Sequence, residues 1–120
     1  MTIKMQKKFF ESVTGKYNLE KLPYDVRVHL INISRIIGKP IRISSHVRTP
    51  EQNRLCGGSL TSSHLTGYAV DIVCTDSGDR YQIINYCMPF FNRIGVYDKH
   101  IHLDWHPNKL QHVLWVDISS

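Results

Sequence analysis

Residues 98–105, Asp-Lys-His-Ile-His-Leu-Asp-Trp, restrict the fold of this 120-residue chain more than any other segment. Side chains on a strand point to alternate faces. His100, His102 and Asp104 therefore share one face, and Ile101, Leu103 and Trp105 share the other. The apolar set needs a core to cover it. The polar set lines up titratable groups whose burial without partners costs stability. A metal ion is one partner that satisfies such a face.

A second segment supplies complementary groups. Ser62-Ser63-His64-Leu65-Thr66-Gly67-Tyr68-Ala69-Val70-Asp71 places an imidazole and a carboxylate seven residues apart, with a glycine between them. His64 belongs on a loop, and Asp71 on a strand predicted over residues 68–74, which are rich in β-formers. Taken singly, a His-x-His strand is often a solvent-facing pair, and the His…Asp spacing says less. Together the two segments offer ligands of the two-histidine, one-carboxylate type, with a position left open for water. That is the arrangement of a catalytic rather than a structural zinc.

The remaining pattern predicts an α+β fold: a small antiparallel sheet carrying the zinc site, flanked by helices. Residues 5–14 read as a short amphipathic helix. Val26, Leu30, Ile33 and Ile37 repeat at helical spacing over residues 24–37, and Gly38 followed by Lys39-Pro40 stops that helix. Ile41 and Ile43 alternate with Arg42 and Ser44 as a strand. Thr49 reads as an N-cap with Pro50 in the first helical position, opening a helix over residues 49–56 that Gly57-Gly58 breaks. A helix over residues 79–91 meets Pro89, strands follow at residues 93–96 and 100–105, and residues 110–118 read as a last strand or a helix. No repeat or linker interrupts the chain, which is expected to form a single domain over residues 1–120.

Hydrophobic residues at 42% exclude a disordered chain. The cysteines, Cys56, Cys74 and Cys87, are odd in number and form no C-x-x-C pair. They are expected to be reduced thiols, two or three of them buried, in a chain made in a reducing cytoplasm. The segment MTIKMQKKFFESVTGKY has no apolar run of signal-peptide length, and no stretch reads as a membrane span. The net charge of +5 suits a polyanionic partner, cell wall or nucleic acid. Aromatic and basic residues are not interleaved, which argues against nucleic acid.

The motif resembles a known family. Ser62, His64, Gly67, Ala69 and Asp71, followed by His102 and Asp104, match the signature of zinc D-alanyl-D-alanine carboxypeptidases. Related phage L-alanyl-D-glutamate endopeptidases share it, as does the hedgehog signalling domain in looser form. The likeness extends to Gly38–Ile41, to Ser44-Ser45-His46-Val47-Arg48-Thr49-Pro50-Glu51-Gln52-Asn53, to Gly57-Gly58 and to Ile94–Tyr97, and so spans about residues 26–107.

The resemblance implies that His64, Asp71 and His102 bind Zn2+ and that Arg48 binds a substrate carboxylate or polarised carbonyl, for which a planar guanidinium is suited. Standing alone, Arg48 reads as a turn residue in a surface ion pair. Some relatives carry a glutamate base shortly before the last ligand, whereas Glu11, Glu20 and Glu51 all lie far from His102 in sequence. Other relatives have histidine at the position of His100, which makes His100 the expected general base, with Asp98 in reserve. Asp104 is expected to accept a hydrogen bond from the N–H of a ligand histidine. His29, His46, His106 and His112 show no supporting pattern and read as surface or satisfied structural residues. His46 also departs from the aromatic residue that relatives often carry there.

The function implied is hydrolysis of amide bonds in bacterial peptidoglycan stem peptides, by a monomer acting on the cell wall. A phage or prophage lysis enzyme fits, with synthesis in the cytoplasm of the infected cell. The alternative is a catalytically inactive zinc-stabilised binding domain, which has no need of His100 or Arg48.

Overall fold

The computed structural model describes residues 1–12 and 19–118. It opens with one helical turn, Ile3–Gln6 (α1), a 3-10 turn at Lys7–Phe9 and a short strand, Phe10–Ser12 (β1). The amphipathic helix expected over residues 5–14 is therefore replaced. Phe10 pairs with Ile41 and is buried, and this tertiary pairing outweighs the weak intrinsic helicity of so short a segment. Residues 13 and 14 lie outside the described residues.

Tyr24–Ile37 (α2) forms with the expected bounds and buries Val26, Leu30 and Ile33. Gly38 ends it in the left-handed region, its N–H donating to the Ser34 carbonyl at 2.9 Å. Ile41–Ser45 (β2) leads to Pro50–Leu55 (α3). Thr49 caps α3 in a reciprocal box: its hydroxyl accepts from the Gln52 N–H, and the Gln52 side chain accepts from the Thr49 N–H.

Ala69–Val73 (β3) precedes Ser77–Cys87 (α4). This helix begins two residues earlier than expected because the Asp76 carboxylate caps the Asp79 N–H, and it ends before Pro89. Arg93–Tyr97 (β4), His100–Asp104 (β5) and Val113–Asp117 (β6) complete the chain.

The strands form one sheet in the order β1-β2-β3-β5-β4-β6. Its centre is antiparallel, as expected, but both flanks are not: β1 pairs with β2 and β6 pairs with β4 in parallel. The sheet is thus mixed. The physical reason is connection length. The segment containing α2 returns the chain so that β2 runs alongside β1, and β5 with the following loop separates β4 from β6.

Leu30 and Ile33 of α2 and Ile83 of α4 join Ile41, Ile43, Ile72, Ile101 and Leu103 in the core. The helices thus cover the apolar face of the central strands and leave the opposite face for chemistry. Cys74 and Cys87 are buried, Cys56 is exposed, and none is paired. Burial pushes the Cys87 thiol up to about 12. No helix among the described residues is long and apolar enough to cross a membrane.

Candidate metal centre

Antiparallel register sets Asp71 of β3 directly opposite His102 of β5 and Ser45 of β2 opposite Asp71. His64 arrives from the other side on a 3-10 turn, Ser63–Thr66. The Ser62 hydroxyl caps that turn by accepting from the His64 N–H at 3.2 Å. Gly67 ends it at φ 78°, a backbone conformation that a side chain would strain. This explains the glycine between histidine and aspartate: the chain must reverse at once to enter β3.

His64, Asp71 and His102 each present one ligand atom, and the atoms lie within 4.8 Å of one another; all three residues are buried. A backbone partner decides the His64 tautomer. His64 Nδ1 lies 2.6 Å from the His46 carbonyl, which can only accept, so the hydrogen sits on Nδ1. Nε2 of the neutral ring then carries a lone pair. It is buried, lies 3.1 Å from Asp71 Oδ2 and makes no well-directed hydrogen bond. His102 Nε2 lies 2.9 Å from Asp104 Oδ2 and its Nδ1 2.9 Å from Asp71 Oδ1. Without a metal the ring can donate from both nitrogens; with Nε2 donating to Asp104, Nδ1 is the atom free to bind an ion.

A His64 lone pair facing a carboxylate oxygen at 3.1 Å is relieved by a cation between them. Ligands about 2.0–2.1 Å from a tetrahedral zinc stand roughly 3.3 Å apart, close to these separations. The orphaned His64 nitrogen, the donor chemistry and the spacing all fit a divalent ion held by His64 Nε2, an Asp71 oxygen and His102 Nδ1.

The electrostatics agree. Burial alone would raise Asp71, but the facing His102 and His64 rings outweigh it and hold the carboxyl well below the usual carboxylate range. Burial likewise opposes charging of His102, yet its bonds to Asp104 and Asp71 raise its pKa. Asp104 is held low against its own burial, chiefly by His102. It also accepts from the His106 N–H at 2.9 Å.

Arg48, His100, Trp115 and Tyr97 join the metal group in lining one cleft of about 450 Å³. Arg48 donates to Ser45 Oγ at 2.9 Å, Asn53 Oδ1 at 3.2 Å and Asp71 Oδ2 at 3.3 Å. These three bonds engage three of its five N–H donors and leave two for a ligand. Asn53 is held in turn by the Ser59 carbonyl, and a Cβ on Gly58 would meet Asn53 Oδ1 at 2.0 Å. Gly58 is therefore needed for the loop to close over the Arg48–Asn53 pair.

His100 Nε2 lies 3.8 Å from Asp71 Oδ2, beyond hydrogen-bonding distance, and its ring stacks on Tyr97 with centroids 4.5 Å apart. Burial lowers its pKa, with Asp71 opposing, so the neutral form is favoured at pH 7. Asp98 falls in the bend before β5 and does not line the cleft.

The structure thus brings His64, Asp71, His102, His100 and Arg48 together and leaves Asp98 apart. His29 is a satisfied structural residue, bonded to the Tyr86 hydroxyl and stacked on Phe90. His46 is buried, and its carbonyl orients His64, a role that no side-chain pattern announces. Trp115 was also silent in the sequence, while Asn53 and Tyr97 stood within the stretches of family likeness without a role of their own. The Thr49-Pro50 cap, which sets the helix bearing Asn53, was the one available signal.

A family model described as Peptidase M15 matches residues 9–104. No curated protein matches the chain.

Proposed function

The chain belongs to the peptidase M15 family, and on that premise we propose that it is a zinc peptidase hydrolysing amide bonds in peptidoglycan stem peptides, as a D,D-carboxypeptidase or an endopeptidase. Membership supports a metallopeptidase at the coarse level. The observation that carries the finer reading is the buried His64–Asp71–His102 group opening on the same cleft as Arg48 and His100. The first three residues are proposed to hold zinc, whose chemistry in such a site is Lewis acidity toward a carbonyl and acidification of water.

The remaining steps belong to side chains. His100, neutral and half-buried beside Asp71, accepts the proton of the attacking water and returns it to the leaving amine. Arg48 aims its two remaining N–H donors at a substrate carboxylate or the developing oxyanion, and its bonds to Ser45 and Asn53 hold it there before substrate arrives. Asp104 orients His102. The net charge of +5 favours a polyanionic wall as the setting, reached by an enzyme made in a bacterial cytoplasm, phage-infected if the chain is viral.

The test is mass spectrometry of fragments released from purified peptidoglycan by the zinc-loaded protein. Release of free stem-peptide ends, abolished by a chelator and restored by zinc, is expected. No release with any divalent metal would overturn the enzyme reading. A rise in Tm with zinc but no cleavage would favour a zinc-stabilised binding domain instead.

A further inference from the structure

The cleft holds one cation that the metal site does not use. Arg48 faces Asp71 at 3.3 Å, and Arg93 Nε faces Asp104 Oδ1 at 3.3 Å. Lys109, on the loop between β5 and β6, makes no such ion pair among the described residues. Its ammonium instead donates to the Thr61 carbonyl on the opposing loop. An ammonium has three donors, so two remain.

Lys109 also occupies a junction. It lines the metal cleft and an adjoining recess of about 690 Å³ bounded by Leu60, Leu65 and Leu110. Burial lowers its pKa; Asp104 opposes this and Arg93 adds to it. Asp104 is already engaged by Arg93 and His102, so it does not serve as a dedicated partner. Across the cleft wall Arg48, Arg93 and Lys109 balance Asp71, Asp104 and Asp117 in number. A bound divalent ion therefore leaves the cleft net positive. Lys109 also lies beyond residue 104, where the family match ends.

We propose that Lys109 is a specificity-determining residue that binds a carboxylate of the peptide substrate, one distinct from the amide being cut, at the junction of the cleft and the Leu60–Leu65–Leu110 recess. The proposal rests on the peptidase reading. A lysine suits the task because a compact charge on a flexible stem can follow a carboxylate, while the Thr61 carbonyl holds it at the mouth.

The test uses the zinc-loaded protein and two synthetic stem pentapeptides, ending in D-Ala-D-Ala, that differ at one group, the free α-carboxylate of D-glutamate or its amide. Cleavage is followed by mass spectrometry and binding by calorimetry. The parent is expected to prefer the free acid by about tenfold, the size of one charge-assisted hydrogen bond. Lys109→Gln is expected to bring that ratio to about one through KM rather than kcat. Lys109→Glu is expected to invert it. Lys7→Gln, on the exposed N-terminal segment, should keep the parental ratio.

A parent that does not discriminate, or a Lys109→Gln variant that keeps the preference, overturns the proposal. Failure of the peptidase reading is separable. If neither peptide is cut but the acid still binds more tightly in a Lys109-dependent way, the peptidase reading falls and the carboxylate site stands. If neither peptide binds, both fall.

Discussion

The two faces of β5 share one backbone and obey different physics. On the helix side Ile101 and Leu103 are fully buried and are held by apolar area, which has no direction. On the cleft side His102 and Asp104 are almost as buried, yet each polar atom has one geometric solution. The first face tolerates any well-packed apolar residue of similar volume. The second tolerates few changes, because a removed partner leaves a buried polar group behind. The difference teaches where stability and chemistry are separable in this protein, even between neighbouring residues.

The sharpest way to break that comparison is at His100, the proposed base. His100→Ala is expected to lower kcat about 10²- to 10⁴-fold on purified peptidoglycan while zinc content by atomic absorption stays at one equivalent. If that variant digests the wall at the parental rate, the polar face carries no base at this position.

The matching change on the other face is Ile101→Ala. Denaturant unfolding should show a loss of about 2–5 kcal/mol, with zinc affinity of the folded fraction close to that of the parent. A loss of zinc affinity larger than the loss of stability would show that the two faces are coupled.

A smaller effect is expected from Asp104→Asn. It weakens the acceptor that orients His102 and removes the charge facing Arg93. Competition with a chromogenic chelator should report zinc affinity lower by about 10- to 100-fold.

The mildest test is pH. Asp71 and Asp104 are depressed, so their contribution to metal-free stability is present above the ordinary value of 3.8 and is lost as pH falls through their folded values. His102 is raised, so its contribution is full below 6.5 and is lost as pH rises through its folded value. These three groups favour a metal-free Tm optimum between about 4 and 6.5, while His100, lowered by burial, opposes them as pH falls below 6.5. Zinc needs His102 deprotonated, so the zinc-induced rise in Tm should grow as pH climbs above 6.5. The stability deficit of Ile101→Ala should follow neither trend.

Much of this organisation is visible along the chain. The periodicity of Val26, Leu30 and Ile33, stopped by Gly38, marks α2 to its ends. Thr49-Pro50 with Gln52 marks α3, and the alternation of residues 100–104 separates core from cleft. The N-terminal segment misleads because Phe9-Phe10 suits a helix face as well as a strand. Its fate as β1 depends on pairing with Ile41, some thirty residues away. Lys109 and Trp115 had no motif at all. They reach the cleft because β6 lies beside β4, a parallel pairing that no local pattern specifies.

What the sequence determined by itself was therefore local: which segments between the two chain ends are helix or strand, which side of β5 is apolar, and which residue types are able to bind a metal. Such features arise from neighbours within one or two turns of chain. The tertiary structure decided the rest. It set Asp71 opposite His102 across 31 residues, turned the His64 lone pair inward by means of the His46 carbonyl, and made the sheet parallel at both flanks. These outcomes depend on register and on backbone partners far apart in the chain, and a register becomes definite only when the whole sheet has assembled.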